Sequence, residues 1–174
     1  MHGSLRFRAR PLSWSLPWLL SLLLLSGCYA DLDWRELKST EGGFKVLMPA
    51  RARETSGPAT GGATLILWTT EAGGAVFGAG HADYPAGAAA QLTTSRDWLA
   101  RNVRGKVTAD QEAKIANLSG RAITIDGFAA DGTPRVVHAR LYASGQRLFE
   151  LAVIAKPGAI SAADLDMFFG SFEP

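Results

Sequence analysis

From residue 34 onward, apolar and polar residues alternate mainly with a period of two, the mark of strands with one buried face. Strands are predicted at 34–38, at 44–48 before the stop at Pro49, and at 63–70, 74–83, 106–118, 121–126, 135–143 and 147–155. The run 63–70 is apolar on both faces, which predicts cover on both sides. In 74–83 one face carries only Gly74, Val76, Gly78, Gly80 and Ala82, so a helix can approach closely there or a bulge can form. In 106–118, Thr108, Asp110, Glu112 and Lys114 line one polar face, expected to meet solvent. Between Arg51 and Gly62 the Gly, Ser, Pro and Thr content predicts a loop or a ragged edge strand.

Two segments change the period to that of a helix. One runs from Ala86 to Arg104 after Pro85, with Leu92, Leu99 and Val103 on a stripe and Trp98 beside it. The other runs from Ala162 to Gly170. Ser161 can cap it and Asp164 suits its positive end, while Leu165, Phe168, Phe169 and Phe172 form a core-facing stripe. Ser144-Gly145 marks a hairpin. If Val137, Ala139 and Leu141 share a face with Phe149, Leu151 and Val153, the loop must be odd-numbered, Ala143-Ser144-Gly145. That register sets His138 opposite Glu150 as a surface pair. Strands in runs with one long mid-chain helix and one short terminal helix predict an α+β fold with a mostly antiparallel sheet.

The first residues follow a different pattern. Arg6, Arg8 and Arg10 precede an apolar run from Leu12 to Leu25, which is too short to span a membrane and has the form of a secretory signal. Leu25-Ser26-Gly27-Cys28 resembles a lipobox, the processing site of bacterial lipoproteins. The resemblance implies a diacylglyceryl group on the Cys28 thiol and cleavage before it. Cys28 is the only cysteine, so no disulfide can form within the chain. The expected organisation is a signal peptide at 1–27, a lipid-anchored tether at 28–33 and one domain at 34–174. A tether this short reaches only about 12 Å, which holds the domain beside the bilayer. The chain is thus expected to be exported and lipid-anchored. Tyr29 stands where the inner-membrane retention signal is typically Asp, which favours the outer membrane facing the periplasm in a Gram-negative cell.

This reading alters the meaning of the charge. Three of the 18 Lys and Arg residues lie in the first 27, which hold no acid, leaving 15 basic against 16 acidic residues and a formal net charge of −1. No basic surplus remains for nucleic acid.

Trp34 followed by Ser39-Thr40-Glu41-Gly42-Gly43-Phe44-Lys45-Val46-Leu47-Met48-Pro49 resembles the opening of PsbP-like bacterial proteins. Leu118-Ser119-Gly120-Arg121, the pair Ala139-Arg140-Leu141-Tyr142 and Leu148-Phe149-Glu150-Leu151, and the ending Ala163 to Phe172 are similar too. The resemblance spans nearly all of the chain after the signal. It implies the Mog/PsbP-type α-β-α sandwich around an antiparallel sheet, and an accessory or binding role rather than catalysis. This chain has Ala122 where the family pattern would place Glu after Gly-Arg.

Candidate chemistry is sparse. His81 and His138 are the histidines after the signal, and Arg121, sharing a face with Ile123 and Ile125, is expected to be partly buried and ion-paired. These three are the candidates for ligand contact. Two distant histidines do not make a zinc site, so no metal is expected. No nucleophile elbow or P-loop occurs, and Gly78-x-Gly80 lacks the third glycine of a dinucleotide fingerprint, so no cofactor is expected. Trp34, Trp68 and Trp98 are the aromatics to inspect for a surface patch, with core burial as the other outcome. The expected function is a cell-envelope lipoprotein with an accessory or binding role and no catalytic centre. Envelope proteins are its expected partners, and the oligomeric state is open. The alternative is an envelope hydrolase or ligand-processing enzyme, which requires His81 and His138 to converge in one cleft. Replacing Cys28 by Ser is expected to leave the precursor uncut and without lipid; a wild-type chain with no acyl mass on Cys28 by mass spectrometry contradicts the anchor.

Overall fold

The computed structural model describes residues 32–174; the signal peptide, the lipobox and Cys28 lie outside them. Among the described residues nine strands and two α-helices follow one another: β1 (Arg35–Ser39), β2 (Phe44–Met48), β3 (Arg53–Pro58), β4 (Thr64–Ala72), β5 (Ala75–Asp83), α1 (Gln91–Asn102), β6 (Lys106–Ile115), β7 (Leu118–Phe128), β8 (Pro134–Ser144), β9 (Arg147–Ala155) and α2 (Ala162–Gly170), with a single 3-10 turn at Thr60–Gly62. Seven strands form one sheet in the order β3-β4-β5-β9-β8-β7-β6, and every neighbouring pair is antiparallel. β1 and β2 form a separate hairpin. The expected α+β sandwich is the fold observed.

The two faces of the sheet have separate cores. Phe77 and Ala79 of β5, Phe149, Leu151 and Val153 of β9, and Tyr142 of β8 pack under the β1–β2 hairpin and α2. Ala82, Leu148, Ala152, Val137, Leu141, Ile123 and Ile125 pack under α1. α2 matches its predicted bounds. Ser161 Oγ accepts from the Asp164 backbone N–H at 3.1 Å and donates to its carboxylate at 2.6 Å. Phe168, Phe169 and Phe172 are buried, and Phe172 sits 5.4–5.8 Å from the rings of Phe44, Tyr142 and Phe149. The Lys45 and Glu173 backbones exchange hydrogen bonds of 2.8 and 2.9 Å, which stitch the end of the chain to β2.

Three expectations are corrected. Helix α1 begins at Gln91 rather than Ala86, because Gly87 takes φ 103° and the Ala88 N–H donates to the Gly145 carbonyl, which makes residues 86–90 turns. The β8–β9 loop has two residues, not three. Ser144 pairs with Arg147 across Gly145-Gln146, and Gly145 takes φ 57° at the first central position, where tight hairpins favour glycine. His138 therefore faces Val153, and Glu150 faces Leu141. The inference failed because it assumed one apolar face on β9, whereas Leu148 to Val153 are buried on both. Finally, β6 has a bulge between Val107 and Ala109. The bulge shifts the alternation, so Asp110 comes opposite Ile123 and turns toward α1 instead of solvent. Glu112 and Lys114 are exposed, as expected.

Candidate functional site

The residues singled out in the sequence do not converge. His81 and His138 lie on the hairpin-and-α2 side of the sheet. His81 pairs with Phe149, while His138 pairs with Val153, so they stand two strands and four register positions apart, roughly 16 Å. His81 is buried, stacks on Trp68 at 6.1 Å, and has no hydrogen-bond partner at Nδ1. Burial, helped by Arg147, lowers its pKa and keeps the ring neutral. His138 is half-buried and lowered for the same first reason, with Arg140 adding to it.

Arg121 is on the other face with Ile123 and Ile125, partly buried and ion-paired as expected. Its Nε donates to Asp110 at 2.7 Å, and Arg96 of α1 donates to the other Asp110 oxygen, also at 2.7 Å. Burial pushes the Asp110 carboxyl up, but the hydrogen bonds from Arg121 and Arg96 outweigh it and hold the group below its ordinary value. The network fastens α1 to the β6–β7 edge, and this gives Arg121 a structural partner rather than a free guanidinium. Among the described residues no three His, Cys, Asp or Glu side chains are grouped to hold a metal.

A different carboxylate is the unusual one. Glu150 sits in the middle of central strand β9 and points to the α1 side, 6 % exposed. Its neighbours in the same register row are Leu141 of β8 and Gly80 of β5. It makes no hydrogen bond or ion pair among the described residues, and burial alone pushes its pKa up to about 7. A buried charge without a partner is costly, so the group meets that cost by holding its proton.

Glu150 lines a cleft of about 170 Å³ between α1 and the sheet. The reason for the space is local. α1 packs across β7 and β8, leaving the faces of β4, β5 and β9 only partly covered. On β5 the covering side chains are missing, because Gly78 and Gly80 stand there. A Cβ on Gly80 would lie 2.2 Å from the Ile66 carbonyl oxygen, so that position admits only glycine. Leu67, Val76, Trp98, Val103 and Ile154 give the cleft apolar walls, and Glu150 is its one titratable side chain. The small-residue face of β5 was visible in the sequence; Glu150 was missed. The available signal was a single carboxylate inside Leu148-Phe149-Glu150-Leu151-Ala152-Val153-Ile154, a run apolar on both faces. Trp34 and Trp68 are half-buried against the first core, and Trp98 is a cleft wall rather than a surface patch.

The raised carboxyl makes stability depend on pH. The folded chain keeps a proton that the unfolded chain loses near 4.5, so the stabilising contribution is complete below that value and is lost as pH rises through about 7. The lowered histidines act in the opposite sense, with stability lost as pH falls below their ordinary 6.5. Glu150→Gln is expected to remove the alkaline loss alone. At about pH 8 the variant should exceed wild type by on the order of 3 kcal/mol in denaturant unfolding, and should match it at about pH 4. Equal stabilities at both pH values would contradict a buried, unpaired carboxyl.

No protein-family model matches the chain, and a search of curated protein sequences finds no match. Solved structures do match. Cyanobacterial PsbP (CyanoP) from Synechocystis sp. PCC 6803 aligns over 87% of this chain and 98% of its own, at 11% identity and a TM-score of 0.58. A structure from Bacteroides thetaiotaomicron aligns over 80% of this chain at 16% identity and a TM-score of 0.46, and this chain spans 47% of its length. A Pseudomonas aeruginosa protein of unknown function aligns over 72% of this chain and 85% of its own, at 12% identity and a TM-score of 0.41. The similarity to cyanobacterial PsbP, with the antiparallel sheet enclosed between α1 on one side and the hairpin and α2 on the other, means that this chain has a PsbP-like fold.

Proposed function

We propose that this protein is an exported accessory domain, lipid-anchored through Cys28, that works by binding a small ligand in the cleft under α1. The observation that carries the reading is Glu150, a carboxyl without a partner in a mainly apolar cleft. Binding sites for small molecules combine apolar walls with a few placed polar groups, and this cleft has that composition. Its size suits one aromatic ring or a short alkyl chain. Glu150, ionised, pairs with a cationic head; protonated, it donates to a carbonyl. The favoured ligand is an apolar group ending in an amine.

A binding role also fits the chemistry of the walls. The cleft holds one titratable group, with Thr69 and Asn102 as its other polar side chains. Hydrolysis by paired carboxylates needs a second acid across the substrate, and a triad needs a base within hydrogen-bond reach of a nucleophile. The histidines that a hydrolase reading relied on lie on the other face of the sheet. The fold shared with cyanobacterial PsbP supports an accessory role only as a likeness, and the anchor rests on the lipobox-like segment at 25–28.

Benzylamine and benzoate serve as probes. Benzylamine is expected to shift the NMR signals of residues around Trp98 and Ile154 at about pH 8, and benzoate is not. Glu150→Gln should weaken the amine at least about tenfold, the scale expected for losing a charge-assisted contact. Gly78→Val, which fills the cleft from a position whose Cβ meets only ordinary contacts, should abolish binding while preserving the circular dichroism spectrum. Equal affinity of wild type and Glu150→Gln for benzylamine would remove Glu150 from the site.

A further inference from the structure

The strand pairings sort the ends of the sheet. Ala72 pairs with Ala75, Ala75 with Ala155, Ala155 with Val136, Pro134 with Phe128, and Asp126 with Lys106. The β4–β5 turn, the end of β9, the β7–β8 loop and the start of β6 therefore share one end. Leu32, the first described residue, is at that end too, with its side chain beside Gly73 and Ile160. Cys28 is four residues upstream, a span of at most about 14 Å. A lipid on Cys28 consequently holds this end of the domain, and not the opposite one, against the bilayer.

The two ends differ in charge pairing. At the far end Arg147 pairs with Asp83 at 2.6 Å and Lys45 with Glu173 at 2.7 Å. At the tether end Arg35 pairs with Asp33, but Arg104, Lys106, Arg135 and Lys156 form no ion pair among the described residues, although Glu71, Asp126 and Asp131 lie at the same end. Phe128 is here as well and is 50% exposed, which is unusual for a ring. With Val103 and Ile154 it forms a shallow groove of about 430 Å³, flanked by Arg104 and Arg135. The groove lies roughly 17 Å across the same sheet end from the Gly73 turn.

We infer that this sheet end is a bilayer-docking face, on which Phe128 enters the headgroup region of an anionic membrane while Arg104 and Arg135 meet lipid phosphates. The inference rests on the lipid anchor proposed above. An aromatic ring beside unpaired cations has the chemistry of an interfacial contact: the ring leaves water, and the cations meet a negative surface potential. Neither contact is strong alone. The anchor raises their effective concentration at the surface, so a weak second contact is enough to fix the orientation. The ligand cleft shares Asn102, Val103 and Ile154 with this groove, so in the docked domain its mouth opens beside the bilayer.

The test uses the lipidated chain in vesicles of phosphatidylethanolamine and phosphatidylglycerol. Cys28 is the only cysteine, and lipid consumes its thiol, so a second cysteine can be labelled selectively. An environment-sensitive fluorophore is placed at Ala130→Cys, beside the groove, or at Asn117→Cys, in the β6–β7 turn at the far end. The label at 130 is expected to be shifted to the blue and quenched by aqueous iodide at least about fivefold more slowly than the label at 117. Arg104→Glu and Arg135→Glu should each reduce the docked-to-undocked ratio by roughly fivefold, as should vesicles of phosphatidylcholine alone or high salt in part. Phe128→Ser should return position 130 to water without releasing the chain from vesicles. Equal quenching at 130 and 117, on chains that float with the vesicles and carry the acyl mass, overturns the docking face and leaves the anchor standing. Chains with no acyl mass on Cys28 overturn the anchor and the face together.

Discussion

Strand β9 lies at the centre of the sheet and is covered on both sides, and the placement of nearly everything else follows from its register. Phe149, Leu151 and Val153 fill the core beneath the hairpin and α2, while Leu148 and Ala152 fill the one beneath α1. Because side chains alternate, a slip of one residue would exchange the two sets and bring Glu150 under the aromatic cluster of Phe44, Tyr142 and Phe172. The two-residue turn at Gly145-Gln146 prevents that slip. The same register puts Glu150 against Gly80, where no side chain competes for the space. The cleft is thus a consequence of how the central strand is fixed.

The features that were legible in the sequence are those with a local cause. Helix α2 was readable to its ends because Ser161, Asp164 and the phenylalanine stripe act within a few residues of one another. The glycine face of β5 and the pairing of Arg121 were visible for a similar reason: composition on one strand face constrains what can pack there. The parts that were not legible depend on neighbours remote in sequence. Nothing between 106 and 118 announces the bulge at Thr108, yet that one extra residue turns Asp110 from solvent to Arg96 and Arg121. The hairpin register failed for a related reason. With apolar residues on both faces of β9, matching apolar faces across the hairpin does not discriminate between loop lengths. That error placed Glu150 on the surface beside His138, and so concealed the site.

The charges divide according to their task. Where elements must be fastened, cations are paired: Arg96 and Arg121 on Asp110 hold α1, and Arg147 on Asp83 joins β9 to β5 while also donating to the Glu41 and Gly42 carbonyls at 2.8 and 3.0 Å. At the sheet end nearest Leu32, Arg35 still pairs with Asp33, but Arg104, Lys106, Arg135 and Lys156 have no acid partner among the described residues. Glu150 belongs to neither group, being a largely buried acid with no cation beside it. The paired charges hold the shape of the domain, whereas the unpaired and buried ones are the groups on which the proposed surface and ligand contacts rest.

The proposed function depends on Glu150 being buried without a partner. The direct measurement is a pH titration of its side-chain carboxyl by carbon-detected NMR on the folded domain, assigned with Glu150→Gln. A midpoint near 7 is expected, with burial as the cause. A midpoint near the ordinary 4.5 would mean that the carboxyl is solvated or paired, and the cleft would then lose the group on which its proposed function depends.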